Sequence, residues 1–139
     1  MQIICLGDSI TDCNHLFEDF PLGNGYVQML SEMSQKHTIN ISGTMQFKNY
    51  GIDGFTVARV LENVRLQRIP LYRSPVITLL IGINDIGMMM NTDRTEIQKQ
   101  QMMQDFSLHY EQLLQLLTEN ARQVILMEPF IFPHPEEYQ

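Results

Sequence analysis

The sequence has 139 residues, 44% of them apolar and 18% charged, which fits one globular domain with a substantial core and leaves nothing for a second. Its formal net charge of -7 repels phosphate backbones, so a nucleic-acid partner is disfavoured. The longest apolar runs, such as 76–83, have the length of a strand and are far too short to span a bilayer.

In chain order, Gln2–Leu6 is a short apolar run closed by Gly7-Asp8, which predicts a strand. No basic segment precedes it and the charged turn cuts it short, which argues against an export signal. Cys5 sits in this run as a buried thiol, Cys13 is the only other cysteine, and no metal-type cysteine spacing occurs. These features predict a cytoplasmic protein. Tyr26–Lys36 sets Tyr26, Val27, Leu30 and Met33 at helical spacing. Met45–Tyr50 alternates roughly into Gly51, a second strand. Thr56–Leu66 carries Val57, Val60, Leu61 and Val64 on one helical face. Pro75–Ile83 is a continuous Val/Ile/Leu run bounded by Pro75 and Asn84-Asp85, the mark of a strand covered on both faces. The clearest helix begins near Asp93, with Asp93 and Glu96 as a capping pair. Met103, Phe106, Tyr110, Leu113, Leu114 and Leu117 recur along it at helical spacing. Gln123–Met127 restores the strand signal, and Pro129, Pro133 and Pro135 break it.

Strands alternating with helices predict one α/β domain over residues 1–139, with a mostly parallel sheet between helices. Ligands of such sheets bind beyond the carboxyl ends of the strands, where the strand order reverses. The residues just after each strand are therefore the candidates for chemistry.

After the first strand stands Gly7-Asp8-Ser9-Ile10-Thr11, either a helix N-cap or a nucleophilic serine on a turn. It is not the G-x-S-x-G elbow of ordinary α/β-hydrolases. After the second comes Asn49-Tyr50-Gly51-Ile52-Asp53-Gly54-Phe55-Thr56, in which Gly51 and Gly54 permit a turn or Gly54 lets a substrate approach its N–H. After the third comes Gly82-Ile83-Asn84-Asp85, where Asn84 is a turn residue or an amide aimed at a developing oxyanion. Each is weak alone. A helix cap that merely holds an anion would leave Gly54 and Asn84 far from Ser9.

The three motifs in this order resemble the blocks of the SGNH (GDSL-type) hydrolase family, over essentially the whole chain. Gly7-Asp8-Ser9 is similar to the block that carries the nucleophile, Gly54 falls on the glycine of the second block, and Asn84 on the oxyanion asparagine of the third. Met127-Glu128-Pro129-Phe130 resembles a stretch of small bacterial members, many of them carbohydrate or short-acyl esterases. The resemblance implies a flavodoxin-like three-layer α/β/α fold and hydrolysis of a small-molecule ester through a Ser9 acyl-enzyme. The N–H groups of Ser9 and Gly54 and the Asn84 amide would hold the oxyanion, with no metal or organic cofactor. Asp8 would fix the turn and not act as the base.

The family's general base is a histidine in an Asp-x-x-His block near the C-terminus; no such block is expected before Gln139, and none of His15, His37, His109 and His134 is read as standing three residues after an aspartate. Of the histidines present, His109 reads as helix surface, and His15 and His37 as solvated loop residues. His134 follows the fourth strand at the active-site edge, in a proline-broken tail. The family's final strand and helix are also expected to be missing, because a βαβ unit takes roughly 30 residues or more. The chain alone is then either an impaired esterase or a non-catalytic remnant that binds acyl or sugar ligands. The segment 124–130 would be left as an open edge, free to pair with a second copy or with a C-terminal fragment.

Overall fold

The computed structural model describes residues 1–16, 19–37, 45–72, 74–90 and 93–129. Four strands, β1 (Gln2–Gly7), β2 (Gln46–Gly51), β3 (Ser74–Leu80) and β4 (Ala121–Met127), form one sheet in the order β2-β1-β3-β4. Every pairing is parallel, with Ile4 opposite Lys48 and Ile77, and Ile77 opposite Val124. Five helices complete the described chain: α1 (Ser9–Asp12), α2 (Tyr26–Lys36), α3 (Val57–Arg65), α4 (Ile83–Met90) and α5 (Glu96–Asn120). The strand order reverses between β1 and β3, so the carboxyl ends of these two central strands frame the crevice in which α/β sheets bind ligands.

Alternation along β1 splits the core in two. Ile4 and Leu6 join Ile77, Leu79 and Ile81 under α3 and α5, which contribute Val57, Val60, Leu61, Val64, Leu113 and Leu117. Ile3 and Cys5 point the other way and pack with Val27 of α2, Phe47 and Val76. The expected helical face of 57–64 is buried throughout. On α5 the spacing holds at Leu113 and Leu117, which are fully buried, while Met103 is 53% exposed.

Two short helices escape periodicity. α1 has four residues, and α4 begins on the last residue of the apolar run 75–83, which reads as continuous strand; β3 stops at Leu80 and Ile83 is already helical. The start of α5 also differs from expectation. The capping box is Thr95 with Gln98, whose side chains exchange bonds with each other's backbone N–H, and not Asp93 with Glu96.

β4 lies at the edge. Only β3 pairs with it among the described residues, and Ile125 and Leu126 are 41% and 49% exposed. A continuous apolar run that would be covered on both faces inside a sheet is thus half open here. The edge segment 124–130 is described only as far as Pro129; Phe130 lies outside the described residues.

Candidate active site

The three motifs sit at one edge of the sheet because each immediately follows one of three adjacent parallel strands. The chain leaves β1 through Asp8, which caps α1 by accepting the Ile10 N–H at 3.0 Å, and Ser9 becomes the exposed first residue of that helix. Asn49 fastens α1 to the end of β2: its amide donates to the carbonyls of Thr11 and Leu22 at 2.6 and 2.9 Å, and its oxygen accepts the Gly51 N–H at 2.9 Å. A Cβ on Gly51 would stand 2.4 Å from the Asp12 nitrogen, so this glycine serves close packing of α1 and not a turn. The Tyr26 hydroxyl bonds Thr11 Oγ1 at 2.7 Å, and burial pushes its phenol up to about 12, so it remains a neutral strut.

Gly54 is the turn glycine. Its φ of +76° is a left-handed conformation, a Cβ there would meet nothing within 4 Å, and the residue is exposed. Asn84, in the first turn of α4, donates from Nδ2 to the Phe55 carbonyl at 3.0 Å. Its neighbour Asp85 accepts the Val57 N–H at 3.1 Å, and the Ile52 N–H donates to the Gly7 carbonyl at 3.1 Å. The end of β1 and the loops after β2 and β3 are therefore tied to one another, and among the described residues the second amide hydrogen of Asn84 has no acceptor. A depression of about 210 Å³ beside them is lined by Thr56, Asp85, Met88, Phe106 and His109 among others, and includes none of Ser9, Gly54 and Asn84.

The residue before the serine is a buried acid. Asp8 is 1% exposed and its Oδ2 is buried without a hydrogen-bond partner. Burial pushes its carboxyl up; the Ile10 N–H opposes this, and the charge of Asp53 adds to it. A carboxyl raised in the folded state stabilises when protonated, and that contribution is lost as pH rises through the raised value. Asp8→Asn keeps the cap acceptor and removes the buried charge. We expect it to melt above the wild type at neutral pH, with the gap closing on acidification. Thermal melts across pH decide this, and a lower neutral melting point would show that Oδ2 has a favourable partner as a carboxylate.

The histidines divide differently from expectation. His15 is not solvated: its Nδ1 bonds Asp12 Oδ1 and its side chain is only 12% exposed. Asp12-Cys13-Asn14-His15 is itself an Asp-x-x-His spacing, so the expectation that no histidine stands three residues after an aspartate fails at His15. The type of turn explains the closure, because Cys13 and Asn14 both take positive φ and bring His15 back over α1. His37 is exposed at the end of α2. His109 is half-buried in the crevice between α3, α4 and α5 and not on the open surface. His134 lies outside the described residues. Among the described residues no imidazole bonds Ser9, no cluster of three or more histidine, cysteine or acidic side chains could hold a metal ion, and no helix is long and apolar enough to cross a membrane.

Solved structures share this architecture. Axe2, an acetylxylan esterase from Geobacillus stearothermophilus, is 27% identical with a TM-score of 0.73; the match covers 93% of this chain and 59% of that one. LAE5, an alpha/beta hydrolase enzyme from the metagenome of Lake Arreo, Spain, is 20% identical with a TM-score of 0.72, covering 93% and 60%, and speaks to the fold alone. The chain thus spans about three fifths of the length of these relatives. No curated protein matches the sequence. The model of the GDSL-like Lipase/Acylhydrolase family matches residues 5–139, and with its three motifs at the carboxyl ends of β1, β2 and β3 the chain belongs to that family.

Proposed function

We propose that the chain carries the nucleophile and oxyanion site of a hydrolase acting on short-chain acyl or carbohydrate esters. The observation that carries this reading is the clamp from Asn84 to Phe55, which ties the third motif to the second at the sheet edge where the exposed Ser9 follows β1. Ser9 Oγ attacks the ester carbonyl, a C–O bond forms, and the serine proton passes to a base. The tetrahedral oxyanion is held by the N–H groups of Ser9 and Gly54 and by the free amide hydrogen of Asn84. Collapse expels the alcohol and leaves an acyl-serine, which water hydrolyses by the reverse sequence of proton transfers. Family membership and likeness to an acetylxylan esterase support ester hydrolysis, and they favour small acyl groups. The two free thiols, Cys5 buried in β1 and Cys13 beside α1, support a cytoplasmic setting.

A panel of acetyl, butyryl and longer esters tests the reading. Turnover should fall as the acyl chain lengthens, and no hydrolysis of any ester by a protein extended to the relatives' length would remove it. The absence of an imidazole bonded to Ser9 among the described residues favours a second reading for the 139-residue polypeptide assayed alone: it binds acyl or sugar ligands with little turnover.

The open side of β4 supports a partner at the segment 124–130, either a second copy or a fragment supplying further strand. Light scattering of the 139-residue polypeptide should show association that grows with concentration and that Leu126→Lys weakens. A stable monomer at high concentration would discard this pairing.

A further inference from the structure

Thr11 is the buried counterpart of Ser9. Both belong to the single turn of α1, and at 3.6 residues per turn positions two apart point about 200° away from each other. Ser9 is exposed, whereas Thr11 is 1% exposed and packs against the end of β1, where a Cβ on Gly7 would collide with its hydroxyl. A helix of four residues cannot fix its own position, because it closes few backbone bonds for the dihedrals it orders. The Asp12 N–H donates to the Asp8 carbonyl at 2.9 Å and the Cys13 N–H to the Ser9 carbonyl at 3.0 Å. The turn is instead held from outside, and twice at Thr11. Asn49 of β2 donates to the Thr11 carbonyl at 2.6 Å, and the Tyr26 hydroxyl, from the first turn of α2, meets Thr11 Oγ1 at 2.7 Å. Tyr26 packs against the cluster of Ile3, Cys5 and Val27, so α2 offers this hydroxyl from a fixed base. We propose that Tyr26 is a positioning residue for the nucleophile: through Thr11 it holds α1 where Ser9 meets the ester carbonyl, which rests on the reading of Ser9 as nucleophile.

Misplacing a reacting atom by about 1 Å can cost on the order of 10²-fold in rate. Phenylalanine at 26 keeps the ring that packs on the cluster and removes only the oxygen. The buried Thr11 hydroxyl then loses this partner, and the turn gains freedom to shift. The consequence falls on bond formation and not on ligand affinity, because the hydroxyl meets α1 through Thr11, on the face away from Ser9.

The test uses the 139-residue polypeptide well below its melting temperature. Hydrogen exchange of the Asp12 and Cys13 amides, followed by NMR, reports the order of α1. The limiting rate and half-saturation of labelling by a serine-directed phosphonate report Ser9. Tyr26→Phe should lower both the protection and the limiting rate by roughly three- to tenfold, the scale of one hydrogen bond, with half-saturation little changed. Thr11→Val should do the same, and the two substitutions together should cost no more than either alone, since they remove one shared bond. Thr11→Ser keeps the hydroxyl and should stay near the wild type. An unchanged limiting rate or unchanged protection in Tyr26→Phe, whatever its melting temperature, would overturn the proposal, as would losses from Tyr26→Phe and Thr11→Val that add in the double variant. A wild type that takes no label counts against the esterase reading alone, and the exchange profiles then decide by themselves whether Tyr26 holds α1.

Discussion

Ser9→Ala should remove ester hydrolysis almost completely, by on the order of 10⁶ in turnover where the remaining machinery is intact. Ser9 is exposed at the first position of α1, so loss of its hydroxyl empties no cavity, and the cap made by Asp8 to the Ile10 N–H stays in place. The effect is chemical because no other group takes over bond formation to the acyl carbon. Binding and oxyanion stabilisation alone leave roughly 10³–10⁴ over water. The measurement pairs wild type and variant at equal length with a short acetyl ester, and adds labelling by a serine-directed phosphonate. If Ser9→Ala turned over esters at the wild-type rate, the nucleophile would lie elsewhere and the mechanism above would fall.

Asn84→Ala should lower kcat by roughly 10²–10³, the usual cost of one oxyanion donor, with a much smaller change in KM. A substrate carbonyl carries little charge before attack, so the amide earns its effect in the transition state. The same substitution frees the Phe55 carbonyl from its bond at 3.0 Å, which loosens the loop presenting Gly54. Asn84→Asp keeps the shape, loses both donor contacts, and adds a charge next to Asp85. Its rate should fall at least as far as that of Asn84→Ala. A fall in kcat below tenfold for both variants, with melting points unchanged, would remove Asn84 from the oxyanion site.

Much of this was written in the chain itself. Strong periodicity at 57–64 and 113–117 and the apolar runs of β1, β3 and β4 fixed the α/β class, since each pattern matches only one way of burying its side chains. Motifs at the ends of successive strands likewise pointed to one sheet edge, because parallel strands bring their carboxyl ends together whatever the detail of the helices between them. Tertiary structure decided what no local pattern encodes. α1 and α4 are too short to show a period, and they exist because Asp8 caps one and the loops after β2 and β3 seat the other. Gly51 and Gly54 look alike in sequence; packing against α1 claims the first and a left-handed backbone the second. The capping box moved from Asp93 to Thr95, as local hydrogen bonds chose between two nearby candidates. His15 and His109 owe their surroundings to a turn through Cys13 and Asn14 and to the crossing of α3, α4 and α5. Charge coupling between Asp8, Asp53 and Asp85 depends on distances set by strand order, which residue spacing does not contain.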